Sequence, residues 1–269
     1  MKSTSKKHPV KKIGVAILAY EGFNDLVRCL RSVKFNSELP VQPIVFDNSE
    51  KTTMIRDYVT KAHPDTMYLS VGKNIGCSES RNIMLQEFLK KYPSAEYLCI
   101  MDQDVECKKG WLKAMVNVAK KNKRAGVVAW PLANRYRKVT LSGVVSEVAS
   151  VCNLHRIKPL LEAKKKWGGP WESRMFMHKF DSLICQRLNL LGWRTMLVLG
   201  LYNPNTVWPS QPALIVHHHP HTGVRRNPKW KHIFDRSKKL YAKIQRKEGW
   251  SEWEPEAPYL DYFGPSRGR

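Results

Sequence analysis

Acidic residues are scarce in this chain: 23 Asp and Glu stand against 46 Lys and Arg in 269 residues, a formal charge of +23. That imbalance does not bear on the fold. It does bear on partners, because a chain this basic repels itself unless part of its surface faces a polyanion such as nucleic acid, acidic glycan or anionic lipid. Paired cysteines are missing as well. Cys29, Cys77, Cys99, Cys107, Cys152 and Cys185 form no C-x-x-C pair, and several lie inside apolar runs, as free thiols do in a reducing compartment. No segment reaches the roughly 18 uninterrupted apolar residues of a spanning helix. The stretch from Met1 to Lys12 holds five lysines but no signal-peptide core. These absences predict a cytoplasmic protein, soluble or at most peripheral to a membrane. Internal repeats are lacking too.

What is present suffices for a large core, since hydrophobic residues make up 42% of the chain. The residues from Ile13 to Tyr20 (IGVAILAY) form a short, nearly continuous apolar run, the pattern of a strand buried on both faces of a parallel sheet. Helical spacing follows from Phe23 to Phe35, with Asn24 as a candidate cap, and Val41 to Phe46 returns to strand. The alternation continues with helix at Met54 to Lys61, strand at Thr66 to Val71, helix at Ser78 to Lys91 and strand at Glu96 to Met101. Strands separated by single helices predict an α/β fold with a doubly wound, mostly parallel sheet whose ligands bind beyond the carboxyl ends of the strands.

The second half alternates less cleanly. Gly110 to Lys123 reads as helix, Gly126 to Trp130 as strand, and Val139 to Val151 as one or two antiparallel strands. Lys164 to Met177 reads as a loop through its Gly-Gly-Pro and paired tryptophans. Phe180 to Leu191 restores helical spacing, Trp193 to Leu199 is a strand, and Ala213 to Val216 is another that runs into His217-His218-His219. From Arg225 to Lys247 ten Lys or Arg face one acid, Asp235. Ile233, Leu240, Tyr241 and Ile244 give that stretch an apolar stripe, and Arg236, Lys239, Lys243 and Lys247 a basic face.

Three strand ends carry the chemistry-bearing residues. Asp102 and Asp104, two apart after a buried strand, reach one divalent cation when the chain turns there, and hard cations bind carboxylate together with phosphate oxygens. Several motifs in order resemble the family 2 glycosyltransferases of the GT-A fold. They are the Tyr20-Glu21 turn, Asp47-Asn48-Ser49, Asn74-Ile75-Gly76 followed by Arg81-Asn82, and Asp102-Gln103-Asp104 followed by Trp111-Leu112. The resemblance implies that Tyr20, Glu21, Asp47, Asn74, Gly76, Arg81, Asp102 and Gln103 bind a nucleotide-sugar donor, a UDP-sugar, and that Asp102 and Asp104 hold Mn²⁺ or Mg²⁺. It also implies a catalytic base. Asp181, ahead of Arg187-Leu188 and Gly192-Trp193, falls on the Asp of the family's E-D pair, while Phe180 replaces its Glu. An inverting displacement follows, with Asp181 taking the acceptor's proton. Among His217, His218, His219 and His221, a further ligand for the metal is expected, with His219 preferred.

On this reading the chain divides into a basic arm, 1–12, a catalytic domain, 13–223, and a basic helix with an aromatic tail, 224–269. The catalytic domain has a nucleotide-sugar-binding half, 13–104, and an acceptor half, 105–223. The acceptor is expected from the charge. Lys108, Lys109, Arg135, Arg137, Arg225, Arg226, Lys239 and Lys243 offer cations, and Trp171 a plane on which a base or sugar stacks. DNA carrying a hydroxymethylated base is the expected acceptor, similar to the substrates of bacteriophage DNA-modifying glycosyltransferases, which work in the host cytoplasm. An envelope polysaccharide or lipid made at an anionic membrane is the alternative. A non-catalytic nucleic-acid-binding protein with a GT-A core is the third reading.

Overall fold

The structure is a computed structural model and describes residues 12–50, 53–130, 138–140, 144–149, 151–198, 214–218, 228–250 and 259–261. Its centre is an eight-stranded sheet. The first half of the chain supplies β1 (Ile13–Ala19), β2 (Val41–Asp47), β3 (Met67–Ser70) and β4 (Tyr97–Asp102), all parallel. The second half adds β6 (Ala125–Ala129), β8 (Val144–Val145), β9 (Cys152–Arg156) and β10 (Arg194–Leu197). The strand order is β3-β2-β1-β4-β9-β6-β10-β8. Only β9, antiparallel to both β4 and β6, and β8, antiparallel to β10, break the parallel set. Two small antiparallel pairs stand apart: β5 (Val105–Cys107) with β11 (Ile215–His217), and β7 (Lys138–Thr140) with β12 (Tyr259–Asp261).

Helices cover both faces because the central strands are apolar on both. One face packs α1 (Phe23–Asn36), α2 (Thr53–Ala62) and α4 (Trp111–Lys121) through Leu26, Leu30, Val33, Val59, Trp111 and Met115. The other packs α3 (Cys77–Lys91), α5 (Ile157–Trp167), α6 (Phe180–Leu190) and α7 (Pro228–Glu248). Among the described residues no helix is long and apolar enough to cross a membrane.

Two sequence expectations need correcting, and one stretch without an expectation takes a definite form. Asn24 does not cap α1. Glu21 takes a left-handed turn (φ 57°), so Gly22 occupies the cap position and Asn24 lies inside the first turn. The Lys164–Met177 loop begins later than its composition implies, because α5 runs through Trp167 and stops at Gly168, whose φ of 81° forms a left-handed cap. Cys152–Ala163, which the periodicity leaves unassigned, forms β9 and most of α5. Pro159 is tolerated there because it sits in the helix's first turn, where an N–H has no intrahelical acceptor.

Register fixes the site. Leu18 pairs with Asp102 and Ala19 with Asp47, so β1, β2 and β4 end side by side at strand spacing.

Candidate active site

At the end of β1, the backbone N–H of Tyr20 donates to Gln103 Oε1 (2.9 Å), and Gln103 Nε2 donates back to the Tyr20 carbonyl (2.8 Å). The middle residue of Asp102-Gln103-Asp104 thus ties its turn to the β1 turn. Gly22 makes room for it, since a Cβ there would overlap the Gln103 amide. Glu21 N–H donates to Ser49 Oγ at 3.0 Å. Asp47 is buried, and its carboxylate accepts from Tyr68 Oη (2.9 Å) and Ser49 N (3.0 Å). Asn48 and Asn74 continue the network: Asn48 Nδ2 donates to Asn74 Oδ1 (2.8 Å), which also receives Gly76 N–H (2.9 Å). Gly76 is required twice over, by its φ of 83° and by the Phe176 backbone, 2.7 Å from where a Cβ would stand.

Arg81 is the buried cation of the site, 1% exposed. Its guanidinium lies 4.1 Å from the centroid of the Phe180 ring, and Nη2 is 3.6 Å from Asp102 Oδ1. Nη1 donates to the Cys77 carbonyl at 3.4 Å, whereas Nε and Nη2 make no hydrogen bond within the described residues. Phe180, where the resembling family carries Glu, therefore acts as the stacking surface for Arg81. Asn82 latches the following loop, donating to the Trp171 carbonyl (2.8 Å) and accepting from the Trp171 N–H (3.3 Å).

Asp102, Asp104 and His217 each bring one ligand atom into a cluster whose atoms all lie within 4.8 Å of one another. His217 Nε2 is 3.2 Å from Asp104 Oδ2. The imidazole arrives by pairing: β11 runs antiparallel to β5 with His217 opposite Val105. Two carboxylates and an imidazole are a donor set that suits Mn²⁺-like cations. Burial in the cleft pushes the Asp102 carboxyl up to about 7, Asp104 and Asp181 adding to the rise and Arg81 and His217 opposing it. Asp181 sits in the first turn of α6. Burial raises its carboxyl above the usual range, helped by Glu147 and opposed by the Ser182 N–H and Arg81. A carboxylate so raised is a better proton acceptor than an ordinary aspartate.

Lys108, Lys109, Lys239 and Lys243 are exposed. Trp171 is not: at 2% exposure it packs edge-on against His155 at 5.5 Å, so it fills the core and offers no stacking surface. His219, Arg135, Arg137, Arg225 and Arg226 lie outside the described residues. Of the four histidines that the sequence offers, the described residues place His217 in the cluster, while the preferred His219 lies outside them. Sequence reasoning missed Phe176, whose carbonyl accepts the Cys77 N–H at 2.6 Å and whose backbone closes on Gly76.

The model of the family described as glycosyl transferase family 2 matches residues 14–170, more than half of the chain. The chain belongs to this family. Solved structures share its fold. The mannosyltransferase PcManGT from Pyrobaculum calidifontis, in complex with GDP-Man and Mn²⁺, is 16% identical with a TM-score of 0.60, over 94% of this chain and 70% of that one. GalNAc-T7, with UDP, GalNAc and Mn²⁺, is 13% identical with a TM-score of 0.57, and S. aureus TarS 15% identical with a TM-score of 0.54. The family 2 chain covers 69% of itself against TarS and 71% against GalNAc-T7, but spans only 35% and 43% of their lengths. No curated protein matches it.

Proposed function

We propose that this family 2 chain transfers a sugar from a nucleotide-sugar to an acceptor hydroxyl by inverting displacement. The observation that carries the reading is the Asp102, Asp104 and His217 cluster at the carboxyl end of β4, with the buried Arg81 guanidinium and Asp181 near it. Those three residues would hold Mn²⁺ or Mg²⁺, which when bound offsets the charge of the departing diphosphate. The Arg81 guanidinium, buried and 3.6 Å from Asp102, adds a desolvated positive charge beside the same anion. Gln103 keeps the β1 turn in register with the cluster, and the Asp47-Asn48-Asn74 network shapes the edge where a uridine would sit. Asp181 takes the proton of the acceptor hydroxyl as its oxygen bonds to the anomeric carbon from the face opposite the breaking bond to the diphosphate, and the sugar inverts.

The acceptor in this reading is DNA bearing a hydroxymethylated base, flipped from the helix to reach Asp181. Its support is α7, where Arg236, Lys238, Lys239, Lys243, Arg246 and Lys247 are exposed. None of the exposed large hydrophobics among the described residues lies on that helix. Helices that lie in a membrane interface insert an apolar face, and α7 turns its apolar face inward, which favours a hydrated polyanion over a bilayer.

Incubation with Mn²⁺, a panel of UDP- and GDP-sugars and hydroxymethylated DNA tests this, with nucleoside mass spectrometry as readout. A hexose or pentose mass increment is expected. Asp104→Ala should lose metal-dependent donor binding, whereas Asp181→Asn should keep it and lose transfer. Full activity in Asp181→Asn overturns the base, and binding to anionic liposomes without binding to DNA moves the acceptor to the membrane.

A further inference from the structure

Two consecutive residues just ahead of Asp181 have left-handed backbones: His178 (φ 63°) and Lys179 (φ 62°). Neither is glycine or asparagine, and side-chain-bearing residues persist in that region only where their surroundings enforce it. Within α6 the turn meets Ser182 Oγ, 3.4 Å from the Lys179 ammonium, and the helix start has no side-chain cap. The turn nevertheless governs the helix: the Lys179 carbonyl accepts the Leu183 N–H at 2.9 Å, the bond that closes the first turn and sets where Asp181 points.

The enforcing contacts come from α7. Its inward stripe is Trp230, Phe234, Ser237, Tyr241, Ile244 and Glu248, at alternating four- and three-residue steps. Phe234 stacks on the His178 ring, centroids 3.8 Å apart and planes 20° from parallel. The Lys179 ammonium lies 5.3 Å from the centroid of the Tyr241 ring and reaches Ser182 Oγ and Glu147 at 3.4 and 3.8 Å. Tyr241 Oη donates to Gln186 Oε1 at 2.9 Å, tying the same side chain to α6 itself. Both ends of the helix are anchored. Trp230 stacks on Phe176 and meets Tyr20 edge-on, each at 6.3 Å, while Glu248 pairs with the buried Arg187 at 2.9 Å.

We infer that α7 is a positioning strap, in which Phe234 and Tyr241 hold the His178-Lys179 turn so that Asp181 faces the cleft. The two aromatics are positioning residues; they touch the turn and not the reacting groups. This inference rests on the assignment of Asp181 as base, and one of its two readouts does not depend on activity.

In the full chain, Phe234→Leu keeps an apolar contact on α7 and removes the ring that stacks on His178. Tyr241→Leu reaches the same turn from the side of Lys179. Amide hydrogen exchange at Leu183 should quicken by roughly tenfold in both, because the bond to Lys179 opens more often. With Mn²⁺ and UDP-glucose, UDP-N-acetylglucosamine or GDP-mannose as probes, kcat for nucleoside diphosphate release should fall by about tenfold or more. KM should stay within about twofold, since misplacing a reacting group costs rate more than binding. Phe234→Tyr should restore both values. Adding His178→Gly to Phe234→Leu should recover most of the exchange protection, because glycine takes the left-handed turn without help. Unchanged exchange at Leu183 in both leucine variants overturns the strap, as does a loss of Mn²⁺-dependent UDP binding equal to the loss of kcat. A wild-type chain that releases no nucleoside diphosphate from any probe sinks the transferase reading alone, and exchange at Leu183 still decides the strap.

Discussion

Arg81 is a buried cation, and its neighbours have adjusted to it. Phe180 gives it a π face, Asp102 a distant carboxylate, and His155 remains neutral beside it. Burial, with Arg81 adding to it, pushes the His155 imidazole from 6.5 down to about 3. The sign follows from proton uptake: between those two values the unfolded chain binds a proton at this position that the folded chain does not. Stability from His155 is therefore complete above about pH 6.5 and is lost as pH falls toward 3, on the order of 1 kcal/mol per pH unit. Urea unfolding of the wild type and His155→Gln across pH 4 to 8 should give a stability difference that is flat above about pH 7 and shrinks below it. Taking the difference cancels the opposing contribution of the raised Asp102 carboxyl. Parallel curves for the two proteins would refute the neutral histidine. At this scale the carboxylates were legible, because each stands at a fixed step from a strand or motif. Which of the histidines joins them was not, because bringing His217 to Asp104 depends on the pairing of β11 with β5, which no local pattern encodes.

The elements of the first half were legible almost to their ends, because each buried strand is a continuous apolar run and each helix carries one apolar stripe. β9 was not, since its sequence CNLHR places Asn153 and His155 in the core, and only pairing with β4 and β6 makes it a strand. Long-range partners overrode local preference there. Helix α7 was read from its two faces, and the faces now have separate work. The inner one packs on α6; the outer one carries Lys239 and Lys243 into solvent. Replacing both with glutamate should leave the fold intact, because neither touches the core. Duplex DNA binding should weaken, and the slope of log affinity against log salt should drop by about 2, one for each phosphate that no longer has a lysine to neutralise it. Fluorescence anisotropy over a salt series measures both. Wild-type affinity and slope in the double variant would remove α7 from the DNA surface.

For the whole molecule, 46 basic residues stand against 23 acidic ones, yet Asp102 and Asp104 lie together at the end of β4, with Asp181 near enough to raise Asp102. Neighbouring carboxylates repel one another, and a divalent cation relieves that repulsion further than Arg81 and His217 do. The cluster and the Arg81 cation beside it are together suited to a cation and a diphosphate more than to either alone. Binding of the two should consequently be coupled, each tightening the other by the same factor. Because only the folded chain assembles the cluster, ligands also stabilise it by mass action, about 2.7 kcal/mol when free ligand is a hundred times the dissociation constant. For a chain of this size that raises the melting temperature by roughly 5 to 10 °C. Calorimetric melts should show a small rise with Mn²⁺ or UDP alone and a larger rise with both, reversed by EDTA. Asp104→Asn should abolish the extra rise while melting near the wild type without ligand, since its side chain lies at the cleft and not in the core. If UDP binds with the same affinity with and without Mn²⁺, cation and diphosphate do not share the cluster, and the site assignment fails with it.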